Sequence, residues 1–360
     1  MHIGLIIYGR LDILTGGWLY DRLLVDYLRE QGHTVEVIHL NRRSYVRNLT
    51  DNFSPRLYRR LVDHKFSLIL QDALVHPSLT VLNRRIKARQ SCPVITIVHQ
   101  VLCRQPLNRF QQVFYQAVEG RYFKSVDGFI FNSDSTRANV ETLIGRPLPT
   151  AVVASPGGDR LGCLASDALI DARSRRHGPL QLIFVGNLTP NKGVLPLIAG
   201  LSRLPREIWR LALIGSLTMD QTYAKQVKAR VARLGLEDRI EMPGVLDGEE
   251  LAARLKASHV FVLPFSYEGF GIACLEAMAW GLPVVGSSRG AVKEFVSDGI
   301  NGALIPPGDL GAFAQQVQGL HNHRTRLTDY GQEALKAYHR RPVWRDSFQK
   351  IQTFLLSFMK

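Results

Sequence analysis

Short apolar runs alternate with amphipathic stretches along most of the chain, and this alternation constrains the fold more than any other feature. Residues 3–8 form the first apolar run, and residues 18–31 follow with apolar side chains at helical spacing. Gly32 ends that stretch, and residues 34–40 form the next run. Such alternation predicts mostly parallel sheets with helices on both faces, because parallel strands need a crossover connection. The other runs of the first half are residues 67–70, 94–98, 128–131 and 151–154.

A polar segment, residues 155–179, interrupts this rhythm and begins with Pro156, Gly157 and Gly158 after a serine. Its composition is typical of a hinge and linker. The rhythm then restarts at residues 180–185. The later runs are residues 211–214, 239–242, 260–263, 283–285 and 303–305. The tail, residues 343–358, has helical periodicity after Pro342.

We therefore predict an α/β protein with two Rossmann-like, doubly wound domains in tandem. The first domain spans residues 1–165 and the second spans residues 180–340, with a linker at 166–179 and a C-terminal helix at 341–360. Ligands of doubly wound sheets bind beyond the carboxyl ends of the strands. We expect the functional site in a cleft between these ends.

The chain is strongly basic, which favours anionic partners such as nucleotides or acidic lipids. Its 360 residues carry 45 Lys and Arg against 31 Asp and Glu, a net charge of +14. The first half has two basic clusters, Arg42, Arg43, Arg47, Arg56, Arg59 and Arg60, and Arg84, Arg85, Lys87 and Arg89. No groove-reading motif accompanies them, so we expect no nucleic-acid partner.

The cysteines and the N-terminal residues indicate the compartment. Cysteine spacing fits neither a disulfide framework nor a zinc site, so we expect free buried thiols. The cysteines are Cys92, Cys103, Cys163 and Cys274. Because residues 2–8 resemble a strand rather than a signal peptide, we expect a cytoplasmic protein. Residues 42–60 interleave basic and apolar side chains, so they either rest on the inner face of the cell membrane or form a solvated basic face.

Residues 264–277 are the most informative segment because they join a buried strand to a helix through a glycine-opened turn. Gly269 and Gly271 leave backbone amides at a helix N-terminus that can face a pyrophosphate. Glu268 precedes the helix. Glu276 lies more than one turn inside it, where a carboxylate can accept hydrogen bonds from ribose hydroxyls. The alternative is a surface helix with two solvated carboxylates.

Residues 184–193 make a similar connection from strand to helix at the start of the second domain. Lys192, next to Gly193, can pair with a phosphate as a point charge. A solvated lysine at a turn is the alternative. Two such connections in one domain favour the phosphate site.

Together these motifs resemble those of family 4 retaining glycosyltransferases. The resemblance rests on Glu268 and Glu276 with seven residues between them, on residues 186–193, on residues 281–285 and on residues 298–309. It is dense over residues 180–310 and looser over residues 1–160. It implies the GT-B fold, in which two Rossmann-like domains face a central cleft. In that fold the C-terminal helix is expected to cross back and pack on the first domain.

The resemblance also implies roles for individual residues. Glu276 would bind the donor ribose, and Glu268 would contact the transferred sugar. Lys192 and the glycine-turn amides would hold the diphosphate. The implied donor-binding residues are Gly16, Gly17, Gly186, Asn187, Lys192, Gly269, Phe270, Gly271, Ile272 and Glu276, and the implied catalytic residues are Glu268, His99 and Lys192.

Three of these assignments have alternatives. Asn187 stands where the family usually has arginine, so the phosphate site lacks one cationic partner. His99 ends a predicted strand and matches a family histidine near the sugar and acceptor, but a lone histidine is also typical of a core. Gly16 and Gly17 match the family's glycine loop, and a plain helix N-terminus is their alternative.

The implied function is the transfer of a sugar, with retention, from a nucleotide-diphosphate sugar to a hydroxyl of a glycan or lipid-linked acceptor in polysaccharide biosynthesis. The family is metal-independent, and the sequence contains no D-x-D triplet. We therefore expect no metal and no cofactor. Positive side chains and a helix dipole would stabilise the departing diphosphate instead.

Two other functions stay open. A non-catalytic sugar-nucleotide-binding subunit is compatible with Asn187, although Glu268, Glu276 and Lys192 argue against it. A phosphorylase or epimerase of the same fold is the other alternative. A phosphorylase would carry a lysine-bound pyridoxal site, and no convincing one is present in the sequence.

Overall fold

The structure is a computed structural model. It describes residues 1–11, 15–105, 107–162, 165–264 and 268–359. Two parts of the sequence predictions, Cys163 and residues 265–267 of the predicted donor turn, lie outside the described residues. The described cysteines, Cys92, Cys103 and Cys274, are free and buried.

The chain divides into two compact units. The first comprises Met1–Pro156 and Arg345–Lys360, and the second comprises Gly157–Trp344. Each unit has a six-stranded sheet in which every strand pairing is parallel.

The sheet of the first unit has the strand order β2-β1-β3-β4-β5-β6. Its strands are β1 (His2–Tyr8), β2 (Thr34–Leu40), β3 (Leu68–Asp72), β4 (Val94–Val98), β5 (Gly128–Phe131) and β6 (Ala151–Val153). Its helices before the second unit are α1 (Gly16–Glu30), α2 (Tyr45–Asn48), α3 (Pro55–Asp63), α4 (His76–Leu79), α5 (Leu82–Lys87), α6 (Arg109–Phe123) and α7 (Asp134–Ile144). Short 3-10 helices cover Leu49–Phe53, Ala73–Val75 and Leu102–Arg104.

The sheet of the second unit has the strand order β12-β11-β10-β7-β8-β9. Its strands are β7 (Leu180–Val185), β8 (Trp209–Ile214), β9 (Ile240–Gly244), β10 (Val260–Leu263), β11 (Val284–Ser287) and β12 (Gly302–Ile305). Its helices are α8 (Asp167–Ser174), α9 (Val194–Leu201), α10 (Gln221–Arg233), α11 (Gly248–Ala257), α12 (Ile272–Ala279), α13 (Leu310–Asn322) and α14 (Arg324–His339). Its 3-10 helices are Asp159–Leu161, Pro190–Lys192, Arg206–Ile208 and Ala291–Glu294.

The predicted strands are confirmed. Each of the twelve apolar runs coincides with a strand whose ends differ from the prediction by at most two residues. Every residue of β3, β4, β5, β10 and β11 is buried. Strands covered by helices on both faces are apolar throughout instead of alternating, which is why continuous apolar runs predict them well.

Residues 166–179, expected as a linker, contain helix α8. The hydroxyl of Ser166 caps this helix by accepting a hydrogen bond from the Leu169 amide at 3.2 Å. Ile170 is fully buried in the core of the second unit. The buried Arg173 donates to the carbonyl oxygens of Trp280 and Gly281. Its charge made this stretch resemble a solvated linker in the sequence.

A last helix, α15 (Trp344–Leu356), ends the chain together with the 3-10 helix Ser357–Met359. From Arg345 onward it belongs to the first unit. The buried ring of Phe348 makes an edge contact with Tyr20 of α1, with ring centroids 5.5 Å apart. One turn further, Gln352 accepts a hydrogen bond from the Tyr27 hydroxyl at 3.1 Å. Aromatic packing therefore fixes α15 against α1.

Replacing Phe348 with alanine is expected to lower the free energy of unfolding by about 3 kcal/mol, because a buried ring is removed and a cavity remains. Gln349→Ala is the matched control, since Gln349 is exposed on the same helix and its loss should cost less than about 0.5 kcal/mol. Urea unfolding followed by circular dichroism measures both variants. Equal stabilities for the two would contradict the packing of α15 against α1.

Candidate active site

The strand order of the second unit brings two distant parts of the sequence to one point. The chain runs from β7 outward through β8 and β9, and β10 then returns to the other side of β7. The residue pairs Leu182 with Val260 and Ile183 with Phe261 align these two strands. Parallel neighbours have their carboxyl ends at the same edge, and this reversal of strand order is where doubly wound folds bind ligands. The loops after β7 and β10 are therefore neighbours.

An ion pair connects these two loops. Lys192, in the loop after β7, donates from Nζ to Oε2 of Glu268, in the loop after β10, at 2.5 Å. Both side chains keep about a fifth of their surface exposed, at 23% for Lys192 and 21% for Glu268. A ligand that reaches the pair would therefore meet an ammonium and a carboxylate that are in direct contact with each other.

The backbone of Glu268 is held by the loop that follows β11. Its carbonyl oxygen accepts a hydrogen bond from the Ala291 amide at 3.3 Å. A Cβ added to Gly290 would lie 2.2 Å from the same oxygen, and Gly290 has a φ of +87°. Only glycine permits this approach without strain. Gly290, which the sequence analysis did not single out, therefore helps to fix the position of Glu268.

The predicted glycine turn leads directly into α12. Gly271 occupies the N-cap position with a φ of +96°, and it has no side chain to cap the first amides of the helix, which begins at Ile272. Those amides lack partners within the helix and carry the positive end of its dipole. Phe270 anchors the turn, because its buried ring packs on Phe295 at a centroid distance of 5.2 Å. Gly269, between the half-buried Glu268 and the buried Phe270, is buried as well.

The loop after β7 is tied to the loop after β8. Asn187 accepts a hydrogen bond through Oδ1 from the Ser216 amide at 3.1 Å. A Cβ on Gly215 would lie 2.1 Å from the Gly186 carbonyl oxygen, and Gly215 has a φ of +146°. The aliphatic stem of Lys192 passes close to Gly186, with Cδ 3.9 Å from the position of a Cβ there. Asn187 thus has a structural contact where the family's arginine would carry a charge.

Glu276 lies in the second turn of α12 and is almost fully buried. Arg160, in the 3-10 helix before α8, donates from Nε to its Oε1 at 2.8 Å. Burial raises the pKa of the Glu276 carboxyl above its ordinary value, and the charge and hydrogen bond of Arg160 act in the opposite direction. Arg160 therefore favours the ionised form of this buried carboxyl.

In the first unit, the strand order reverses between β1 and β3. Gly16 and Gly17 begin α1, where Thr15 accepts a hydrogen bond from the Trp18 amide at 3.4 Å. A Cβ on Gly17 would lie 3.1 Å from the imidazole Cδ2 of His99, which directly follows β4. The structure therefore brings Gly17 and His99 into contact, and the absent side chain of Gly17 makes room for the ring.

His99 is paired with a buried carboxylate that the sequence analysis did not identify. Its Nε2 lies 2.8 Å from Oδ1 of the fully buried Asp21 on α1. Asp21 Oδ2 is also buried and has no hydrogen-bond partner among the described residues. Burial alone would lower the pKa of His99, but Asp21 and the nearby Asp72 raise it above its ordinary value. Burial and the charge of Asp21 raise the pKa of Asp72.

The predicted site residues thus form two groups, one in each unit. Lys192, Glu268, the glycine turn and Glu276 surround the β7–β10 edge of the second unit. Gly16, Gly17 and His99 lie at the corresponding edge of the first. The partners that were missed are Arg160, Asp21 and Gly290. The first of these follows a Pro-Gly-Gly turn, which is the signal that could have drawn attention to it.

Two family models match the chain and together cover most of it. The model described as Glycosyl transferases group 1 matches residues 166–337. The model described as Glycosyltransferase Family 4 matches residues 16–159. The two matches fall on the second and first units, respectively, apart from a few residues at their ends.

Among curated proteins, the chain is similar to glycogen synthase of Mycobacterium tuberculosis. The two are 34% identical over 207 residues, which are 57% of this chain and 48% of the relative. The chain therefore spans about half the length of the curated relatives it matches.

Solved structures share the fold over nearly the full chain. Sucrose-phosphate synthase of Thermosynechococcus elongatus has a TM-score of 0.82 and 19% identity, covering 99% of this chain and 98% of that one. Anabaena HepE in complex with UDP-glucose has a TM-score of 0.78 and 19% identity, covering 99% of this chain and 100% of that one. The predicted α/β fold with two Rossmann-like sheets is confirmed, and so is the predicted resemblance to the family 4 glycosyltransferases and their GT-B fold.

Proposed function

We propose that this chain is a retaining glycosyltransferase that moves a sugar from a nucleotide-diphosphate sugar to a hydroxyl acceptor without a metal ion. The observation that carries the proposal is the Lys192–Glu268 ion pair beside the uncapped N-terminus of α12. The same helix carries Glu276 one turn further on. These groups supply an anion site with a carboxylate on either side of it.

The order of these groups matches the order of the parts of a sugar nucleotide. Glu276 would accept hydrogen bonds from the ribose hydroxyls. The first amides of α12 and the Lys192 ammonium would hold the diphosphate. Glu268 would contact the transferred sugar. Since the sugar is joined to the diphosphate by one bond, adjacent groups on the protein are what this donor requires, and Lys192 and Glu268 are in contact.

The proposed reaction breaks the bond between the sugar C1 and the diphosphate oxygen, whose electron pair leaves with the diphosphate. A bond from the acceptor oxygen to C1 forms on the same face of the sugar, and the acceptor proton passes to a diphosphate oxygen. The transition state is oxocarbenium-like. Lys192 and the α12 dipole would stabilise the negative charge that develops on the diphosphate, in place of a divalent ion.

His99 is the proposed contribution of the first unit to the reaction. Its ring is held by Asp21 and fits against Gly17. A histidine with a raised pKa is positively charged over a wider pH range, and such a ring can donate to an oxygen of the sugar or the acceptor. Gly16 and Gly17 would present backbone to donor phosphate or to the acceptor.

The relatives support the class of donor and acceptor. HepE is in complex with UDP-glucose, which favours a nucleotide sugar as the donor for this chain as well. Glycogen synthase is named for a polysaccharide product. We propose a glycan or lipid-linked acceptor in polysaccharide biosynthesis, and a site of action in the cytoplasm.

Glu276→Ala should weaken nucleotide-sugar binding by more than about 100-fold, because ribose hydroxyls would lose a charged acceptor. Isothermal titration calorimetry with UDP-glucose and a panel of related nucleotide sugars measures this. Glu241→Ala is the matched control, since Glu241 is paired with Arg254 in an exposed position. Unchanged affinity in Glu276→Ala would refute the ribose role.

Lys192→Ala should lower kcat by about 100-fold while weakening donor binding less than about tenfold, because the lysine acts on charge that develops during transfer. The exposed Lys225 on α10 provides the control, Lys225→Ala. Initial rates measured in EDTA test the expected metal independence in the same assay. Equal losses in kcat and donor affinity would contradict the proposed role, and native protein that binds donor without any transfer or hydrolysis would favour the non-catalytic alternative.

We also propose peripheral binding of the first unit to an anionic membrane, on a surface that coincides only in part with the predicted residues 42–60. Of the apolar side chains in residues 42–61, Leu57 and Leu61 are buried in the core of the first unit and cannot face a membrane, whereas Phe53 is 70% exposed. Further exposed apolar side chains lie on α2, within that range, and on α6, outside it. We call these the aromatic-basic face: Tyr45, Val46, Arg47, Arg109, Phe110, Val113 and Phe114.

The aromatic-basic face has the composition of an interfacial membrane surface. Phe110 is 90% exposed, and Val113 is 62% exposed on the same side of α6. Phe114 packs on Tyr45 with ring centroids 5.7 Å apart, which joins α6 to α2. Basic side chains beside exposed aromatic ones fit anionic headgroups over an acyl boundary. Among the described residues, no helix is long and apolar enough to cross a bilayer.

Phe110→Ser should reduce binding to vesicles that contain anionic lipid by about tenfold, because a large exposed ring no longer enters the interface. Ile300→Ser is the matched control, since Ile300 is an exposed apolar residue of the second unit. Cosedimentation at low and at physiological salt measures both, and binding should fall as salt rises. Absence of native binding at low salt, or equal binding of the two variants, would refute the membrane proposal.

A further inference from the structure

The ion pair between Arg160 and Glu276 involves one nitrogen of the arginine and one oxygen of the glutamate. Nε of Arg160 donates to Oε1 of Glu276 at 2.8 Å. Among the described residues, Oε2 of Glu276 has no hydrogen-bond partner, and neither do the two terminal nitrogens of Arg160. The Arg160 side chain is 30% exposed, whereas that of Glu276 is 4% exposed. One acceptor oxygen of a buried carboxylate is thus left for a ligand.

Close backbone contacts bring Arg160 to this position. A Cβ on Gly158 would lie 3.1 Å from the carbonyl oxygen of Leu275, the neighbour of Glu276 on α12. A Cβ on Gly157 would lie 2.3 Å from Oδ1 of Asp159, which accepts a hydrogen bond from the Trp344 amide at 3.0 Å. Side chains at these two glycines would push the turn away from α12. The glycine pair therefore determines how close Arg160 comes to Glu276.

A buried glutamate needs a compensating charge if it is to accept hydrogen bonds from hydroxyl groups. Desolvation favours the neutral carboxylic acid, which has lost one acceptor site to its own proton. The titratable and charged groups that face Glu276 are Arg160 and Asp159 from the 3-10 helix and Tyr338 from α14. Arg160 is the positive member of this set. Its removal leaves Asp159 to disfavour ionisation further.

We propose that Arg160 is a positioning residue of the donor site, which holds Oε1 of Glu276 and so orients Oε2 toward the ribose hydroxyls of a nucleoside diphosphate. This inference rests on the proposed ribose role of Glu276. It adds to the donor site a residue that lies outside the two motifs on which the site was predicted.

The contact geometry favours a role for Arg160 in positioning Glu276 over a role in blocking the site from a ligand. An arginine that closed the site would engage both carboxylate oxygens, as the bidentate pair of Arg254 with Glu241 does, at 2.6 and 2.8 Å. Arg160 instead makes a single bond through Nε. The two roles give opposite results when Arg160 is removed: nucleotide affinity should rise if Arg160 blocks the site and fall if it positions Glu276.

Calorimetry on the full chain tests the proposal with defined probes. UDP, GDP and ADP are compared first, and the tightest binder is used together with its 2′,3′-dideoxy form, which lacks the hydroxyls. The variants are Arg160→Ala, Arg160→Lys and Glu276→Gln. Arg254→Ala is the matched control, because it removes an exposed arginine–glutamate pair of the same unit. Thermal melting confirms that each variant is folded.

Arg160→Ala should weaken binding of the natural nucleotide about tenfold, the effect of losing one charge-assisted hydrogen bond. The dideoxy form should bind Arg160→Ala and the native chain equally, because it makes no contact with Glu276. Arg160→Lys should recover part of the affinity, and Arg254→Ala should leave it unchanged.

A pH series gives a readout that a purely structural role would not change. Without the Arg160 charge, the pKa of Glu276 rises further above its ordinary value. As the pH is lowered from about 8 to about 5.5, Arg160→Ala should lose nucleotide affinity at a higher pH than the native chain does. Arg160→Lys should move this loss back toward the native pH.

The outcomes separate this proposal from the proposed function. If Glu276→Gln weakens binding but Arg160→Ala does not, Arg160 has no positioning role and the ribose role stands. Tighter binding in Arg160→Ala would also overturn positioning, in favour of blocking. If Glu276→Gln has no effect, or if the native chain binds none of the three nucleotides, the ribose role of Glu276 fails and this inference fails with it.

Discussion

The contact between the Lys192 ammonium and the Glu268 carboxylate joins two loops that are 76 residues apart in sequence. The contact exists because β10 returns to the side of β7, so that the carboxyl ends of both strands meet at one edge of the sheet. Burial of all of β10 and of four of the six residues of β7 stabilises that arrangement, since apolar side chains are covered on both faces of the sheet. The proposed chemistry depends on this edge, because a phosphate-binding cation and a sugar-contacting carboxylate must lie side by side.

The two glutamates of the predicted motif are treated differently by the fold. Glu268 is partly exposed and is paired with Lys192, which is partly exposed as well, so that a ligand can reach the lysine's charge. Glu276 is buried and accepts a hydrogen bond from Arg160, which follows the closely packed turn at Gly157 and Gly158. The accessible Lys192–Glu268 pair suits contact with the diphosphate, whose charge would change during transfer. The buried, preorganised carboxylate of Glu276 suits recognition of the ribose hydroxyls, which would not react. His99 and Asp21 repeat the buried arrangement in the first unit.

The sequence predicted the strands and the turns between them because these depend on local pattern. Apolar runs marked all twelve strands, and the spacing of Glu268 and Glu276 marked the entry to α12. The partners of the site residues could not be predicted in this way, since Arg160 and Asp21 are far from Glu276 and His99 in sequence. The Pro-Gly-Gly turn before Arg160 marks a turn but does not indicate which residue Arg160 contacts. The sequence also did not show which apolar side chains of the basic range 42–60 and its flank are buried: Leu57 and Leu61, on α3, alternate with arginines but fill the core.

A crystal structure of the chain with a bound nucleoside diphosphate tests the central claim most directly. The account predicts that the diphosphate lies against the backbone between Gly269 and Ile272, within hydrogen-bond distance of the Lys192 ammonium, with the ribose hydroxyls on Glu276. A diphosphate bound elsewhere, with the Lys192–Glu268 pair and the α12 N-terminus untouched, would contradict it.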